Sequence, residues 1–150
     1  MLTKTPVGLD EIVQTFGDSS DPDFEAKNLK LFDLPYPLIF EGQTVKRARC
    51  HKLLVDNFLQ VFREIQAAGF ESQVKNFGGI FNKRPQKGGT KPSTHSWGIA
   101  IDLETKKFPL GSSDRFPDEV VAIFKKAGFF YGGDFVSRKD PMHFQFAEKF

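Results

Sequence analysis

Apolar residues recur at helical spacing in three segments of the chain, and each segment ends at a glycine. The pattern predicts a short helix within GLDEIVQTFGD (residues 8–18) and another within FPDEVVAIFKKAGF (residues 116–129). The longest apolar stripe predicts a helix from about Val45 to Ala68. That helix would contain Cys50 as a small buried side chain, and His51, which has no partner at the spacing of a metal site.

Two other segments alternate apolar and polar residues, which is the pattern of a strand with one buried face. In STHSWGIAIDLE (residues 93–104), the alternation predicts a strand over Ile99 to Leu103. In DPMHFQF (residues 140–146), it predicts a strand over Met142 to Phe146. Prolines punctuate the earlier apolar run LFDLPYPLIF (residues 31–40), which suits an edge strand.

The order of these elements indicates the fold class. A long helix is followed by a loop over the glycine- and lysine-rich residues 76–92, then by a strand, a helix and a strand. This order predicts an α+β fold in which helices pack on one side of a small, mainly antiparallel sheet. With 150 residues, the sequence predicts one domain that spans residues 1–150.

The amino-acid composition excludes several classes of function and of metal site. A formal net charge of +2 and a pI of about 8.6 do not indicate a nucleic-acid-binding protein. Cys50 is the only cysteine, so a metal site within one chain must use histidine and carboxylate ligands. No apolar stretch approaches the ~20 residues of a membrane span, and the first residues lack the apolar run of a signal peptide. These features predict a protein made in the cytoplasm without a membrane anchor.

Alternation also places polar side chains together on the open face of each predicted strand. Asp102 shares its face with Ala100, whose small side chain leaves space above it, and His143 shares its face with Gln145. If the two strands are neighbours, Asp102 and His143 meet, and His95 just before the first strand can join them. Two imidazoles and a carboxylate are a typical ligand set for catalytic zinc, which keeps a fourth position for water. Alternatively, the three residues never meet and serve as a turn cap, a buried ion pair and a strand histidine.

The segment from Ser93 to Asp102 matches the motif S-x-H-x-x-G-x-A-x-D of the LAS-type zinc peptidases of the M15 family. This group includes VanX- and VanY-type D-Ala-D-Ala peptidases and phage L-alanyl-D-glutamate endolysins. Its second motif, an acid three residues before a histidine, corresponds to Asp140 and His143, and GGIFNKRP (residues 78–85) resembles the segment that carries the group's arginine. The likeness covers roughly residues 45 to 147 and is nearest to small phage endopeptidases. It implies a hedgehog/DD-peptidase-like fold with a concave face that carries zinc.

The resemblance implies a role for each matching residue. His95, Asp102 and His143 would bind one zinc ion per chain. Asp140 would act as the general base, and Arg84 would stabilise the oxyanion of the tetrahedral intermediate. Many members of the group have glutamate where Asp140 stands, although the phage-type branch often has aspartate. Without the resemblance, Arg84 would be interpreted as a solvated charge among the lysines of its loop.

Three further residues are predicted to lie beside the substrate. Trp97 would form a wall next to the zinc, with packing in the core as the alternative. Ser93 would donate a hydrogen bond to the substrate backbone, or cap the turn before His95. Tyr131, in YGGDF (residues 131–135), resembles part of the substrate-side turn of the endolysins, although an ordinary turn would also explain the glycines.

The function implied by the resemblance is hydrolysis of peptidoglycan stem peptides, with cleavage expected at the L-alanyl-D-glutamate bond by a phage endolysin. One alternative is a D-alanyl-D-alanine carboxypeptidase or dipeptidase. Another is a non-catalytic zinc-containing module, as in hedgehog signalling domains, and a third is an anion- or nucleic-acid-binding module built on the lysines of the 83–91 loop. We expect a monomer with no nucleic-acid partner and no separate wall-binding domain, which reaches the wall through a holin-type breach of the membrane.

Overall fold

The computed structural model describes residues 1–150 and contains four α-helices and two antiparallel sheets. The predicted α+β class with small antiparallel sheets is therefore confirmed. The helices are α1 (Gly8–Phe16), α2 (Phe24–Asn28), α3 (Val55–Ala67) and α4 (Asp118–Lys126). The strands are β1 (Leu29–Phe40), β2 (Gln43–His51), β3 (Phe77–Gly79), β4 (Ala100–Leu103), β5 (Phe130–Tyr131) and β6 (His143–Gln145).

The predicted helix over residues 45–68 is wrong in its first part, because residues 43–51 form β2 and pair with β1 in an antiparallel hairpin. Side chains along this segment alternate, with Arg47 and Arg49 exposed and Ala48 and Cys50 buried. A period of two suits a strand whose inner face packs on the core, whereas the helical stripe begins only near α3. Cys50 is buried as predicted, but on a strand.

His51 lies at the end of β2, not inside a helix, and is buried. Its Nδ1 accepts a hydrogen bond from the backbone N–H of Leu53 (3.2 Å), so its Nε2 carries the proton and donates to the carbonyl oxygen of Phe16 (2.9 Å). Burial lowers the pKa of His51 to about 4, and the ring is neutral at physiological pH. His51 therefore ties the end of α1 to the hairpin.

The second sheet has the strand order β3-β4-β6-β5, and all of its pairs are antiparallel. The two strands predicted from alternation are thus present and adjacent. The inward side chains of β4 are buried, and on β6 the ring of Phe144 stacks on Phe124 of α4 with ring centroids 3.7 Å apart. Burying one such side chain is worth about 1.5–3 kcal/mol, so this aromatic packing holds β6 with its polar side chains on the opposite face.

Glu104, directly after β4, fixes the approach to β3. Its buried carboxylate accepts hydrogen bonds from the backbone N–H groups of Lys75 (2.8 Å) and Asn76 (2.7 Å), and from the side-chain amide of Asn76 (3.0 Å). Gly78 then passes so close to Asp102 and Thr105 that a Cβ atom would come within 3.0 Å of the Asp102 backbone. These contacts hold β3 and the loop after it against β4.

The lowered pKa of the buried His51 should make the free energy of unfolding depend on pH. Its pKa of about 4 in the folded chain lies below the ordinary 6.5, so between these values the unfolded chain binds a proton that the folded chain does not. The contribution of His51 is complete above about pH 6.5 and falls towards pH 4, by up to roughly 3 kcal/mol. Urea unfolding of the metal-free wild type and the His51→Gln variant measures it, because the other titrating groups are common to both. A difference in stability that stays constant over this pH range would contradict the assignment.

Candidate metal centre

Three side chains of the ligand type meet at the surface of the second sheet. The antiparallel pairing of β4 with β6 sets Asp102 directly opposite His143. A 3-10 turn over Thr94–Trp97, just before β4, carries His95 to the same place. The candidate ligand atoms of His95, Asp102 and His143 all lie within 4.8 Å of one another. The three residues that the sequence singles out as ligands are therefore neighbours, as metal binding requires.

Hydrogen bonds to oxygen acceptors orient both imidazole rings. Nδ1 of His95 lies 2.7 Å from the carbonyl oxygen of Ile80, and Nε2 of His143 lies 2.8 Å from Oε1 of Gln145. Since these oxygens can only accept, each ring donates its proton there. The lone pair of a neutral ring is then on Nε2 of His95, 3.2 Å from Oδ2 of Asp102, and on Nδ1 of His143, 3.0 Å from Oδ1 of the same carboxylate.

This arrangement fits a metal cation. Nε2 of His95 is buried and has no hydrogen-bond partner, and a buried unpaired polar atom is costly. Burial disfavours the ionised form of Asp102, but the two histidines beside the carboxylate outweigh this effect and hold its pKa well below the usual range. Burial likewise opposes a charge on His143, yet the Asp102 carboxylate raises its pKa. The cluster thus attracts positive charge, and two imidazoles with one carboxylate are a fitting donor set for zinc.

Asp140 lies beside the cluster without belonging to it. Its Oδ2 is 3.9 Å from Nδ1 of His143, and its side chain is 25% exposed. Its carbonyl oxygen accepts a hydrogen bond from the backbone N–H of His143 (3.0 Å), which closes a tight turn before β6. Burial raises the pKa of the Asp140 carboxyl above its usual value. The geometry suits an acid–base group that faces a water molecule at the cluster.

The YGGDF segment (residues 131–135) packs against the backbone of this turn. Gly132 accepts a hydrogen bond from the backbone N–H of Asp140 (2.8 Å), and a Cβ atom on Gly132 would collide with the Asp140 carbonyl group. Tyr131 is buried, and its hydroxyl donates to the carbonyl oxygen of Pro141 (2.8 Å) and accepts from the backbone N–H of Phe116 (3.2 Å). Because the hydroxyl is buried and already bonded to two backbone groups, Tyr131 does not make the predicted contact with substrate. It supports the turn that carries Asp140 instead.

Arg84 reaches the site through a loop that is tied to the turn carrying His95. The carbonyl oxygen of Arg84 accepts from the Ser96 hydroxyl (2.9 Å) and from the backbone N–H of Ser93 (2.9 Å). The guanidinium lies in the cleft wall, partly exposed, and donates to the carbonyl oxygen of Pro85 (3.2 Å). It keeps further N–H donors free for another partner.

The other two predicted substrate contacts lie in different surroundings. Ser93 lines the cleft, and its hydroxyl also accepts a hydrogen bond from the backbone N–H of His95 (3.3 Å), as a turn cap does. Trp97 is buried, its indole N–H donates to the carbonyl oxygen of Gly17 (2.9 Å), and its ring packs edge-on against Phe150. It packs in the core, so the predicted wall beside the metal is not formed by Trp97.

Two cavities reach the cluster and share part of their walls. The first, of about 700 Å³, has Asp140 and His143 in its wall and runs towards the loop after β5. The second, of about 480 Å³, has His95 in its wall and runs along β2 and β3. Arg84 and Asp102 line both cavities. The cluster therefore contributes to the walls of two cavities, with His143 in the first, His95 in the second and Asp102 in both.

Two groups that orient the histidines have no role in the sequence-based prediction. Strand alternation predicts that Gln145 shares a face with His143, and this shared face is the sequence signal for a contact between the two side chains. The carbonyl oxygen of Ile80 carries no side-chain signal, because any residue at that position supplies the same acceptor.

Residues 87–146 match the family described as D-alanyl-D-alanine carboxypeptidase. The matched segment contains His95, Asp102, Asp140 and His143, and begins after Arg84. A search of curated proteins finds no match to the chain.

Metal analysis should distinguish the cluster from the remaining histidine. We expect the purified chain to bind one zinc ion and the His143→Ala variant to lose it, because that change removes one of three ligands. The His51→Gln variant should keep the metal, since His51 is bonded elsewhere. Zinc should also raise the melting temperature of the wild type, as a ligand of the folded state alone does. Equal zinc contents in the wild type and His143→Ala would exclude this ligand set.

Proposed function

We propose that the chain is a hydrolase of peptidoglycan-type peptides, because residues 87–146 match the D-alanyl-D-alanine carboxypeptidase family. We propose further that it is a zinc-dependent endopeptidase that cleaves the L-alanyl-D-glutamate bond of stem peptides. Zinc held by His95, Asp102 and His143 would supply Lewis acidity, which polarises the scissile carbonyl and makes a water molecule more acidic. The rest of the reaction is assigned to side chains of the chain itself.

Asp140 is the proposed general base. It takes a proton from the attacking water and passes it to the leaving amine, which would otherwise depart as an unstable anion. Its position 3.9 Å from the ligand atom of His143 supports this role, since it is near the cluster and still open to the cleft. Its raised pKa also brings its proton affinity closer to that of the groups with which it exchanges protons.

Arg84 is the proposed stabiliser of the oxyanion. A guanidinium carries a positive charge and presents several N–H donors in a fixed plane. The anchoring of its backbone to Ser93 and Ser96 limits the movement of the loop, so little reorganisation is needed as negative charge develops on the substrate oxygen.

The observation that supports an endopeptidase is that two cavities, not one, reach the cluster. An endopeptidase binds an extended stretch of substrate on both sides of the scissile bond. A carboxypeptidase binds an extended stretch on the N-terminal side only, and a short leaving group on the other side. The second cavity, of about 480 Å³, adds space for substrate next to His95. Lys87 and Arg138 line the first cavity and Arg49 lines the second, which suits the carboxylates of stem peptides.

We further propose that the enzyme acts as a single catalytic domain and a monomer, in the manner of a phage endolysin. Its motifs resemble those of small phage endopeptidases. No helix of the protein has the length and apolar character needed to cross a membrane. The retained acid at Asp140 favours catalysis over a zinc-containing module that only binds.

Mass spectrometry of digested peptidoglycan tests the proposed bond. With zinc, we expect peptides with a new free amino group on D-glutamate, and glycan fragments that end in L-alanine. Release of terminal D-alanine without these products would instead identify a D-alanyl-D-alanine carboxypeptidase. If the zinc-loaded protein releases neither product and also leaves free D-alanyl-D-alanine intact, the binding module becomes the better account.

Substitution of Asp140 tests the base. Asp140→Asn keeps shape and polarity but accepts no proton, so turnover should fall by roughly 10²–10⁴-fold while the zinc content stays unchanged. The matched control is Asp134→Asn, because Asp134 lies in the same cavity wall but is engaged by Arg115 (3.0 Å) and Lys125 (2.9 Å). Initial rates with purified peptidoglycan measure both. Near-normal cleavage by Asp140→Asn would refute the base, and loss of zinc would make Asp140 a ligand.

A further inference from the structure

Gln145 is a buried amide whose four hydrogen-bonding positions are all occupied. Its Oε1 lies 2.8 Å from Nε2 of His143 and accepts from the hydroxyl of Thr94 at 3.2 Å. Its amide nitrogen donates to the carbonyl oxygens of Ala147 (3.1 Å) and Phe150 (3.2 Å). Only 3% of the residue is exposed, so no competing bond to bulk water is available.

These contacts allow one orientation of the amide. Two backbone carbonyls face one end of it, and carbonyls only accept, so the NH₂ group must be at that end. The amide oxygen then faces His143, which must donate from Nε2. It follows that the Gln145 side chain keeps the lone pair of a neutral His143 ring on Nδ1, the atom 3.0 Å from Asp102.

The same oxygen joins the two segments that carry the histidines. Thr94 immediately precedes His95 in the 3-10 turn, and His143 is on β6. The bonds from Thr94 and His143 therefore meet on one acceptor. A change at Gln145 would loosen the orientation of one ring and the spacing between both segments.

We propose that Gln145 is the positioning residue that holds His143 in its metal-binding tautomer and so sets the zinc affinity of the cluster. This inference rests on the proposed zinc site. Gln145 competes with Asp102 for the single proton of the neutral ring. Without the amide oxygen, Nε2–H would be buried without a partner, and the ring would instead donate from Nδ1 to Asp102. That proton occupies the ligand atom and must be displaced before zinc binds.

A pair of variants separates this role from a structural one. Gln145→Met and Gln145→Glu both lose the donor bonds to Ala147 and Phe150, so both should lower the melting temperature of the metal-free protein. Only Gln145→Glu keeps an acceptor for His143. We expect zinc affinity, measured by competition with a chelating dye, to fall about 10–100-fold in Gln145→Met and to stay near or above the wild-type value in Gln145→Glu.

The control is Thr94→Val, which removes the second donor to the amide oxygen and leaves the bond to His143, so its zinc affinity should stay within a few-fold of the wild type. If Gln145→Met does not fold, Gln145→Asn replaces it, because the shorter chain withdraws the oxygen from His143. Equal losses of affinity in the acceptor-free and Gln145→Glu variants would overturn the inference, and so would wild-type affinity in Gln145→Met. A wild-type protein that binds no zinc would refute the metal site itself, and the inference with it.

Discussion

The candidate site depends on the register between two short strands. Asp102 on β4 and His143 on β6 are direct partners in an antiparallel pair, and their side chains therefore stand on the same face. A slip of one residue would turn His143 into the aromatic core and Phe144 out towards the cleft, so the buried ring stacked on Phe124 also protects the site. The same strand pairing therefore determines both the packing of the core and the geometry of the site.

Around this pair, backbone geometry does much of the positioning. A main-chain carbonyl orients His95, a turn closed between Asp140 and His143 presents the acid, and a glycine allows the chain behind that turn to approach closely. Main-chain groups are held by many hydrogen bonds at once, so they move less than exposed side chains. The result is a cluster of acceptors that face one another, which is unfavourable unless positive charge lies between them.

Sequence alone could predict the parts that follow from local patterns. Alternation was sufficient for β4 and β6 and for the shared faces of Asp102 and His143, but it contains no information on which strands pair. The helix over residues 45–68 was predicted too long because a strong apolar stripe obscured the two-residue period of Arg47 to Cys50. Trp97 and Tyr131 show a second limit of the sequence. An aromatic residue indicates a large buried side chain, but not whether it faces the core or the cleft.

The two cavities are built from different stretches of the chain. Residues 93–146 contain every proposed ligand and the acid, whereas the wall of the second cavity comes largely from the outer face of the β1–β2 hairpin and from β3. That outer face, with Arg47 and Arg49, is opposite the buried side chains of Ala48 and Cys50. Point substitutions there change the charge and shape of the second cavity without disturbing either the core or the metal cluster, so the hairpin is a surface on which this fold can vary while the cluster stays the same.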